Sequence, residues 1–440
     1  MQFRASLHTL GCRLNQADSA RLAADLQAHG FELVPWGNPA ELLVINSCAV
    51  TGVAAQKTRQ VLSQARKRNP AAFIIVCGCA ATDPELTRST AVTRADLLLP
   101  NPKPNSLIPF LPNDLCHSNT IPAGMDAQVG ALPEGFTLPG RGVFPERTRA
   151  NLKIQDGCDF RCTYCIVPQM RGPARSRDLA DILREARELL DRGFREIVLT
   201  GVNIATYRNS DHDLADLLVK LAHLPGDFRL RLGSAEPGPV LDKVIDVMKG
   251  EPKLCRFLHL PLQNGAPEIL RRMARRYTVE QYAAAVNRAA AEIPGICLGT
   301  DVMVGFPGED DAAFQRNYDF LAGLPLGLMH VFCYSPRPGT PAATWPNRPA
   351  PTVAHEREAR LLELARKQAV AFAQSQLGAT LQVLLETGEP ANHGWSDNYL
   401  KVVLPPDAQV DVNNFHHCAI TALLPDDERT VVGKLVKSPQ

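Results

Sequence analysis

The most restrictive feature of this sequence is a series of apolar segments that alternate with helical segments between residues 151 and 334. Each apolar segment has the length and composition of a buried strand. Six consecutive βα units predict a curved parallel sheet, which forms a partial barrel when compared with the complete eight-unit barrel. The active face of such a sheet lies at the C-terminal ends of its strands. The predicted strands are Asn151 to Gln155, Glu196 to Thr200, Arg229 to Gly233, Arg256 to Leu260, Leu298 to Val304 and Met329 to Tyr334.

The rest of the chain predicts two further domains, so the fold class is α/β multidomain. Residues 1–100 predict a small α/β domain with parallel strands, 101–146 a linker rich in Pro, Gly and Asn, 147–375 the barrel, and 376–440 a small β-barrel. The predicted helices are Ser19 to Gly30, Val53 to Arg68 and Glu356 to Gln376. The predicted strands outside the partial barrel are Glu41 to Cys48, Ala71 to Cys79, Leu381 to Glu386, Tyr399 to Leu404 and Thr430 to Val436.

The composition is that of an ordinary globular protein, with 440 residues of which 45% are hydrophobic and 21% charged. This length excludes a single small module. Because no apolar run is long enough to cross a bilayer and no signal-peptide core is present, we expect a soluble, cytoplasmic protein without a membrane partner. The 47 Lys and Arg residues balance 46 Asp and Glu residues, so overall charge does not support nucleic-acid binding.

The twelve cysteines point to metal binding, since a reducing compartment keeps thiols free. Cys158, Cys162 and Cys165 form a CxxxCxxC motif directly after the first barrel strand. Three thiolates on a short loop can hold three corners of a 4Fe-4S cluster and leave one iron open for a substrate. Structural zinc or a plain ferredoxin cluster would need a fourth ligand, and none is local. Three unrelated buried cysteines would not explain this spacing.

A second group of cysteines lies in the N-terminal domain, at Cys12, Cys48 and Cys79. The last two follow predicted parallel strands, so both are expected at the same edge of the sheet. Free cysteine is also among the most buried residue types. The residues alone therefore leave a metal site and buried structural cysteines open.

The CxxxCxxC loop resembles that of the radical S-adenosylmethionine superfamily. The resemblance implies that the open iron binds the methionine moiety of S-adenosylmethionine and that electron transfer yields a 5'-deoxyadenosyl radical. It makes Cys158, Cys162 and Cys165 the catalytic residues. Tyr164 matches an aromatic position that packs by the adenine.

Across nearly the whole chain, the sequence is similar to the methylthiotransferases, in which Cys12, Cys48 and Cys79 would hold an auxiliary 4Fe-4S cluster. The C-terminal segment Gly394-Trp-Ser-Asp-Asn-Tyr399 is similar to the family's RNA-binding TRAM domain. The matching motifs include Asp156-Gly-Cys158, Arg171-Gly-Pro-Ala-Arg-Ser-Arg177, Thr200-Gly-Val-Asn203, His259-Leu-Pro-Leu-Gln263, Arg276-Tyr-Thr278, Thr300-Asp-Val-Met-Val-Gly-Phe-Pro-Gly-Glu309 and Tyr334-Ser-Pro-Arg-Pro-Gly-Thr340.

Within that family, Thr9-Leu-Gly-Cys-Arg-Leu-Asn15 resembles the MtaB-type branch, which methylthiolates N6-threonylcarbamoyladenosine beside the tRNA anticodon. The departures are Arg13, Leu14, Arg161 and Ala274, and none of them is a cluster ligand. Isopentenyladenosine in tRNA and an aspartate of a ribosomal protein are the alternative substrates. A non-catalytic iron-sulfur electron carrier or RNA-binding protein is the alternative of a different class.

The resemblance also implies further partners and site residues. We expect two molecules of S-adenosylmethionine, an electron donor such as flavodoxin or ferredoxin, a sulfur donor, and a tRNA anticodon loop. The expected contacts to S-adenosylmethionine are Thr200, Gly201, Asn203, Glu236, Gln263 and Asp301. The alternatives are a simple tight turn for Thr200 to Asn203, an exposed loop residue for Glu236, and a charge paired within the barrel for Asp301.

Positive and aromatic residues suggest where RNA binds. Arg171, Arg175 and Arg177 adjoin the catalytic loop and are expected to contact RNA phosphates, since phosphate contacts dominate RNA affinity. Trp395 and Tyr399 could stack on bases, although aromatic residues in a small barrel more often form its core.

Overall fold

The computed structural model describes residues 2–101, 106–115, 148–388, 392–424, 427 and 429–436. The chain forms two compact units. The described residues of Met1–Phe144, with Lys153–Glu185 and Ser335–Ala343, make the first unit; those of Pro145–Leu152, Ala186–Tyr334 and Thr344–Gln440 make the second. Both cysteine groups therefore belong to the first unit. Most of the predicted linker, 101–146, lies outside the described residues.

The N-terminal part of the first unit is a five-stranded parallel sheet. Its elements are β1 (Arg4–Thr9), α1 (Arg13–Ala28), β2 (Glu32–Leu33), β3 (Leu42–Ser47), α2 (Gly52–Arg68), β4 (Phe73–Gly78), α3 (Cys79–Thr82), α4 (Pro84–Thr87) and β5 (Leu97–Leu99), with short 3-10 helices at Val92–Arg94, Ile108–Phe110 and Asn113–Leu115. The strand order is β2-β1-β3-β4-β5. The predicted α/β fold with parallel strands is confirmed.

Helices cover both faces of this sheet, which explains why β3 is buried along its whole length. Leu22 and Leu26 of α1 pack on one face, and Leu62 of α2 packs on the other. Leu107 and Leu111 join the core on the α1 side. The packed domain therefore continues beyond the range 1–100 that the sequence suggested.

Helix α1 begins six residues before the predicted start at Ser19. Its first turns bury the polar side chains of Asn15 and Asp18. Because buried polar residues interrupt the apolar period, the amphipathic pattern becomes visible only later in the helix.

The first unit also contains the loop that carries the CxxxCxxC motif. The chain here forms β7 (Gln155–Asp156), α5 (Val167–Arg171), β8 (Arg175–Ser176) and the first half of α6 (Leu179–Asp191), and it follows β6 (Arg149–Lys153), of which all but the last residue belongs to the second unit. Strands β7 and β8 pair antiparallel, with Asp156 opposite Arg175. This pairing closes the base of the cysteine loop.

The second unit contains the predicted partial barrel. Its elements are β9 (Glu196–Thr200), β10 (Arg208–Asn209), β11 (His212–Asp213), α7 (Leu214–Ala222), β12 (Arg229–Leu232), α8 (Pro239–Gly250), β13 (Phe257–His259), α9 (Pro267–Arg272), α10 (Val279–Glu292), β14 (Cys297–Val304), α11 (Asp311–Ala322), β15 (Leu328–Cys333) and α12 (Pro351–Ser375), with a 3-10 helix at Ile204–Thr206. A further 3-10 helix, Pro341–Thr344, belongs to the first unit except for its last residue.

The strand order confirms the six-unit barrel. The sheets β12-β9-β6 and β13-β14-β15 are joined by parallel bridges from Leu230 to Leu254 and from Ser234 to His259. The six strands therefore follow one another in chain order, as repeated βα units require.

The C-terminal strands close into the predicted small barrel. They are β16 (Thr380–Glu386), β17 (His393–Ser396), β18 (Lys401–Val403), β19 (Phe415–Leu423) and β20 (Thr430–Leu435), in the order β16-β17-β18-β20-β19. Arg229 and Arg231 of β12 donate to backbone oxygens of Trp395 and Ser396 at 2.8 and 3.0 Å. The two barrels of this unit are thus joined through strand β12. Among the described residues, no helix is both long and apolar enough to cross a membrane.

Candidate active site

The register of the N-terminal sheet brings Cys48 and Cys79 together. Strands β3 and β4 are parallel, and their last residues, Ser47 and Gly78, are paired. Cys48 and Cys79 directly follow those residues, so they leave the sheet at the same edge. The sequence predicted this placement from the ends of two strands.

Cys12 lies beside Cys48 because of a tight turn at Gly11. The backbone of Gly11 has φ +96, and a Cβ added there would lie 2.7 Å from the Cβ of Cys48. Only glycine adopts this conformation readily and tolerates so close a neighbour. Cys12 then occupies the N-cap position of α1, where its side chain makes no capping hydrogen bond. All three predicted ligands of the auxiliary site thus lie around one edge of the sheet.

Nitrogen donors and one cation lie around these three thiols. Burial raises the pKa of Cys48 to about 11, while the backbone N–H of Val50 and the guanidinium of Arg171 act in the opposite direction. Arg171 also interacts electrostatically with Cys12 and Cys79. Asn101 donates from Nδ2 to the Sγ of Cys79 at 3.4 Å. A cation and N–H donors favour thiolates, which is the form that binds metal.

The CxxxCxxC loop is held by its own backbone. The N–H of Cys158 donates to the carbonyl of Gly172 at 3.1 Å, and that of Cys165 donates to the carbonyl of Cys162 at 3.0 Å. Gly157 has φ +70, and a Cβ there would lie 1.8 Å from the carbonyl oxygen of Pro173. The loop therefore needs glycine immediately before its first cysteine.

A buried ion-pair network joins this loop to helix α1. Arg171 donates to Asp156 at 2.8 Å and to the Oδ1 of Asn15 at 2.6 Å. Lys153 donates to Asp156 at 2.6 Å and to Asp18 at 2.9 Å. No role was predicted from the sequence for Asn15, Asp18 or Lys153. The only sequence signal was that Asn15 and Asp156 lie in motifs that carry the family resemblance.

This network corrects the role expected for the three arginines that follow the loop. Arg171, Arg175 and Arg177 are at most 4% exposed. Arg175 donates to the carbonyl of Arg171 at 2.8 Å, and Arg177 pairs with Asp181 at 2.6 Å and also with Glu185. To reach an RNA phosphate, Arg171 and Arg177 would have to break buried ion pairs, and Arg175 would have to leave its buried hydrogen bond to the carbonyl of Arg171. We therefore assign them to the scaffold of the cysteine loop, because burying an unpaired charge is costly.

Segment Ser335–Ala343 contacts both cysteine regions within the first unit. Arg337 is 2% exposed and binds Asp83, four residues after Cys79, at 2.5 Å. The N–H of Ala342 donates to the carbonyl of Thr163, inside the CxxxCxxC loop, at 2.9 Å. This segment includes most of the motif Tyr334-Ser-Pro-Arg-Pro-Gly-Thr340, whose function in the sequence was unassigned. The segment therefore links the chain that follows Cys79 to the CxxxCxxC loop.

In the second unit, several residues expected to bind S-adenosylmethionine lie at the C-terminal ends of strands. Thr200 ends β9, the half-buried Gly201 follows it, and Asn203 accepts at Oδ1 from the backbone N–H of Glu236 at 3.2 Å. Glu236 Oε2 and Gln263 Oε1 are buried acceptors with no hydrogen-bond partner among the described residues. Unpaired buried acceptors are rare and suit the hydroxyl and amino donors of a ligand.

Glu236 is already held on one side. Its Oε1 pairs with Arg275 at 2.9 Å, so only Oε2 remains for a ligand. Burial raises the pKa of Glu236, and Arg275 acts against this rise.

Asp301 has two imidazole partners within its own barrel, and its contact with S-adenosylmethionine stays a prediction. Its Oδ1 lies 3.3 Å from His259 Nε2 and 3.1 Å from His330 Nδ1. Asp301 is thus a charge paired within the barrel, and both of these contacts use the same carboxylate oxygen.

The aromatic residues of the small barrel pack inside the second unit. The ring of Tyr399 lies 4.9 Å from that of Trp395 and 4.5 Å from that of Phe257. The guanidinium of Arg231 lies 5.0 Å from the Tyr399 ring. Trp395 and Tyr399 are partly buried and pack against each other, and base stacking by their remaining exposed surface stays a prediction.

Comparison with known proteins matches both parts of this arrangement. Residues 152–321 match the model of the radical SAM superfamily, and residues 4–99 match that of the uncharacterized protein family UPF0004. Among solved structures, the radical S-adenosylmethionine methyltransferase TsrM from Kitasatospora setae has a TM-score of 0.52 at 15% identity, covering 78% of this chain and 77% of that one. This likeness concerns the fold alone.

Curated relatives extend the match along the chain. The threonylcarbamoyladenosine tRNA methylthiotransferase MtaB of Bacillus subtilis is 34% identical, covering 90% of this chain and 89% of the relative. MtaB of Thermotoga maritima is 33% identical, covering 86% of each chain. The tRNA-2-methylthio-N(6)-dimethylallyladenosine synthase of Dehalococcoides mccartyi, strain 195, is 35% identical, covering 88% of each.

Fold and site together define a radical S-adenosylmethionine enzyme with a second group of three cysteines. More particularly, the chain belongs to the family of radical S-adenosylmethionine methylthiotransferases that modify tRNA. The family implies S-adenosylmethionine and 4Fe-4S clusters as cofactors. The residues fit them, because the described residues include two groups of three free thiols and the barrel presents buried acceptors that have no partner among the described residues.

Proposed function

We propose that this enzyme methylthiolates the C2 carbon of adenine in N6-threonylcarbamoyladenosine, at the position 3' to the tRNA anticodon. The reaction takes place in the cytoplasm and consumes two molecules of S-adenosylmethionine. The observation that carries the proposal is the presence of both cysteine triads in one compact unit, joined by the buried contact of Arg171 with Asn15. Relatives named for this substrate support it along most of the chain.

The cofactors and the chain have separate tasks in this proposal. When bound, the clusters and S-adenosylmethionine supply the carbon radical and the sulfur chemistry. Cys158, Cys162 and Cys165 would hold one cluster, and Cys12, Cys48 and Cys79 the other. Tyr164 would pack by the adenine of S-adenosylmethionine, with Thr200, Gly201, Asn203, Glu236 and Gln263 around its polar groups.

The reaction also needs partners outside the chain. An electron donor such as flavodoxin or ferredoxin would reduce the cluster, and a sulfur donor would replace the sulfur that each turnover transfers. The anticodon loop would be bound in part by the C-terminal barrel, with the target base turned out of its stack, because C2 is inaccessible in a stacked loop. RNA contacts on this barrel would use its outward-facing residues, together with the exposed parts of Trp395 and Tyr399.

A second substrate, isopentenyladenosine, is favoured by one observation. A relative named for dimethylallyladenosine, which is another name for isopentenyladenosine, is as similar to this chain as the MtaB relatives are. Nucleoside mass spectrometry of tRNA from a strain lacking the gene separates the two substrates. Our proposal predicts selective loss of 2-methylthio-N6-threonylcarbamoyladenosine. Selective loss of the methylthiolated isopentenyl nucleoside would contradict it.

A further inference from the structure

Three polar side chains of adjacent strands face the inside of the partial barrel. Thr300 on β14 contacts the hydroxyl of Tyr282 on helix α10 at 3.0 Å, so it faces the surrounding helices. Because side chains alternate along a strand, the next residue, Asp301, faces the interior. His330 on β15 is paired with Asp301 in the sheet register. His259 on β13 completes this polar belt.

Asp301 orients both imidazoles of the belt. Its Oδ1 lies 3.1 Å from Nδ1 of His330 and 3.3 Å from Nε2 of His259. The Nδ1 of His259 is in turn 2.9 Å from the hydroxyl of Ser234. Burial disfavours the charge of Asp301, but the two histidines outweigh it and hold its pKa well below the ordinary range. The carboxylate is therefore ionised at neutral pH.

His330 differs from His259 in its access to solvent. The His259 side chain is 10% exposed, whereas that of His330 is 59% exposed. Nδ1 of His330 faces Asp301, and its Nε2 makes no hydrogen bond to another described residue. One polar atom of an oriented ring is thus available to a ligand inside the barrel.

An aromatic layer lies beside the belt on one side. The ring of Phe257, two residues before His259 on the same face of β13, lies 4.5 Å from the ring of Tyr399 and 6.5 Å from that of His259. The guanidinium of Arg231 lies 5.8 Å from the Phe257 ring. This packed layer occupies one side of the belt, and the C-terminal ends of the strands are the active face of such folds, so we expect a ligand to approach His330 from those ends.

We propose that His330, positioned by Asp301, binds the N6 substituent of the target adenosine and selects threonylcarbamoyl over dimethylallyl. The inference rests on the proposed function and deepens it. The threonylcarbamoyl group carries a carboxylate, a hydroxyl and amide groups, each able to hydrogen-bond an imidazole. The dimethylallyl group carries only carbon and hydrogen. Bound against His330, it would leave a desolvated ring nitrogen without a partner, and such a loss discriminates strongly against the wrong substrate.

The test compares two RNA substrates on the reconstituted enzyme with both clusters bound. Anticodon stem-loops carrying either threonylcarbamoyladenosine or isopentenyladenosine are methylthiolated in parallel, and the ratio of their kcat/KM values is measured. His330→Leu should lower this ratio by about 10- to 100-fold, the effect of losing one hydrogen bond to a charged group. His330→Gln keeps a hydrogen-bonding group and should retain more of the ratio than His330→Leu.

The matched control replaces a histidine outside the barrel interior. His223→Leu removes an exposed histidine at the end of helix α7, whose ring contacts the carbonyl of Val219 in its own helix, and should leave the ratio unchanged. An unchanged ratio in His330→Leu, with wild-type iron content, overturns the inference and leaves the proposed function standing. A wild-type enzyme that modifies only the isopentenyl stem-loop overturns the proposed function itself.

Discussion

Arg171 donates from Nη2 to the Oδ1 of Asn15 at 2.6 Å, although the two residues are 156 positions apart in the chain. Arg171 closes the helix that follows the CxxxCxxC motif, and Asn15 lies in the first turn after Cys12. Both side chains are buried. The two cysteine groups are therefore positioned by a scaffold built before any substrate binds, as a reaction that uses both sites requires.

Replacing Arg171 should destabilise the first unit. In Arg171→Gln, Asp156 and Asp18 lose a buried counter-charge, and removing one partner of such a network costs about 3–5 kcal/mol of unfolding free energy. Denaturant unfolding of the reconstituted protein measures this loss. Arg161→Gln, an exposed position inside the same loop, is the matched control and should leave the midpoint almost unchanged. Equal midpoints for the two variants would refute the role of the network.

The glycine before Cys158 should be required for the radical site alone. In Gly157→Ala, the new Cβ would overlap the carbonyl of Pro173, so the loop must move. We expect about half of the iron to be lost, since only one of two 4Fe-4S clusters depends on this loop. Gly193→Ala also has positive φ, +88, but meets nothing within 4 Å, so it controls for backbone strain. Full iron content in Gly157→Ala would show that the loop tolerates the side chain.

Glu196 should hold the second unit together through two buried arginines. Glu196→Gln leaves Arg229 and Arg231 without their shared counter-charge, which should lower the unfolding free energy by about 3–5 kcal/mol. Glu363→Gln, in an exposed pair with Lys367, should change it little. Unfolding curves for both variants beside the wild type provide the measurement.

The pH dependence of the Glu196 effect is also predicted. Burial opposes ionisation of Glu196, but Arg231 and Arg229 outweigh it and lower its pKa far below the ordinary value. A lowered folded pKa contributes stability that is complete above the unfolded pKa, about 4.3, and is lost only as pH falls below it. The difference between the wild type and Glu196→Gln should therefore stay constant from about pH 6 to 9. A difference that shrinks within this range would contradict the assignment.

Much of this architecture could be predicted because the strands carry a local signal. The segment Glu196 to Thr200 was predicted with its observed bounds, and the ends of β3 and β4 placed Cys48 and Cys79 at one edge. Strands such as β1 and β19 were missed, since their half-exposed residues do not form a continuous apolar run.

The positions of charged side chains could not be predicted in the same way. Arg171 and Arg177 read as RNA-binding residues because positive charge is visible in a sequence, whereas burial against a distant carboxylate is not. Asp301 was predicted to line the cavity from its place on the fifth barrel strand, but its pairing with histidines of the two neighbouring strands was not visible in the sequence. Long-range pairing depends on the folded topology rather than on local pattern.

The separate tasks of the two cysteine groups are tested most directly by Cys48→Ala, with 5'-deoxyadenosine and methylthiolated nucleoside measured in the same reaction. Cys77→Ala is the matched control, because Cys77 is buried with Leu22 and Leu26 on the α1 side of the sheet, whereas Cys79 packs with the opposite core. Cys48→Ala should still form 5'-deoxyadenosine but no methylthiolated nucleoside, and Cys77→Ala should form both. Methylthiolated nucleoside from Cys48→Ala at the wild-type rate would contradict the account.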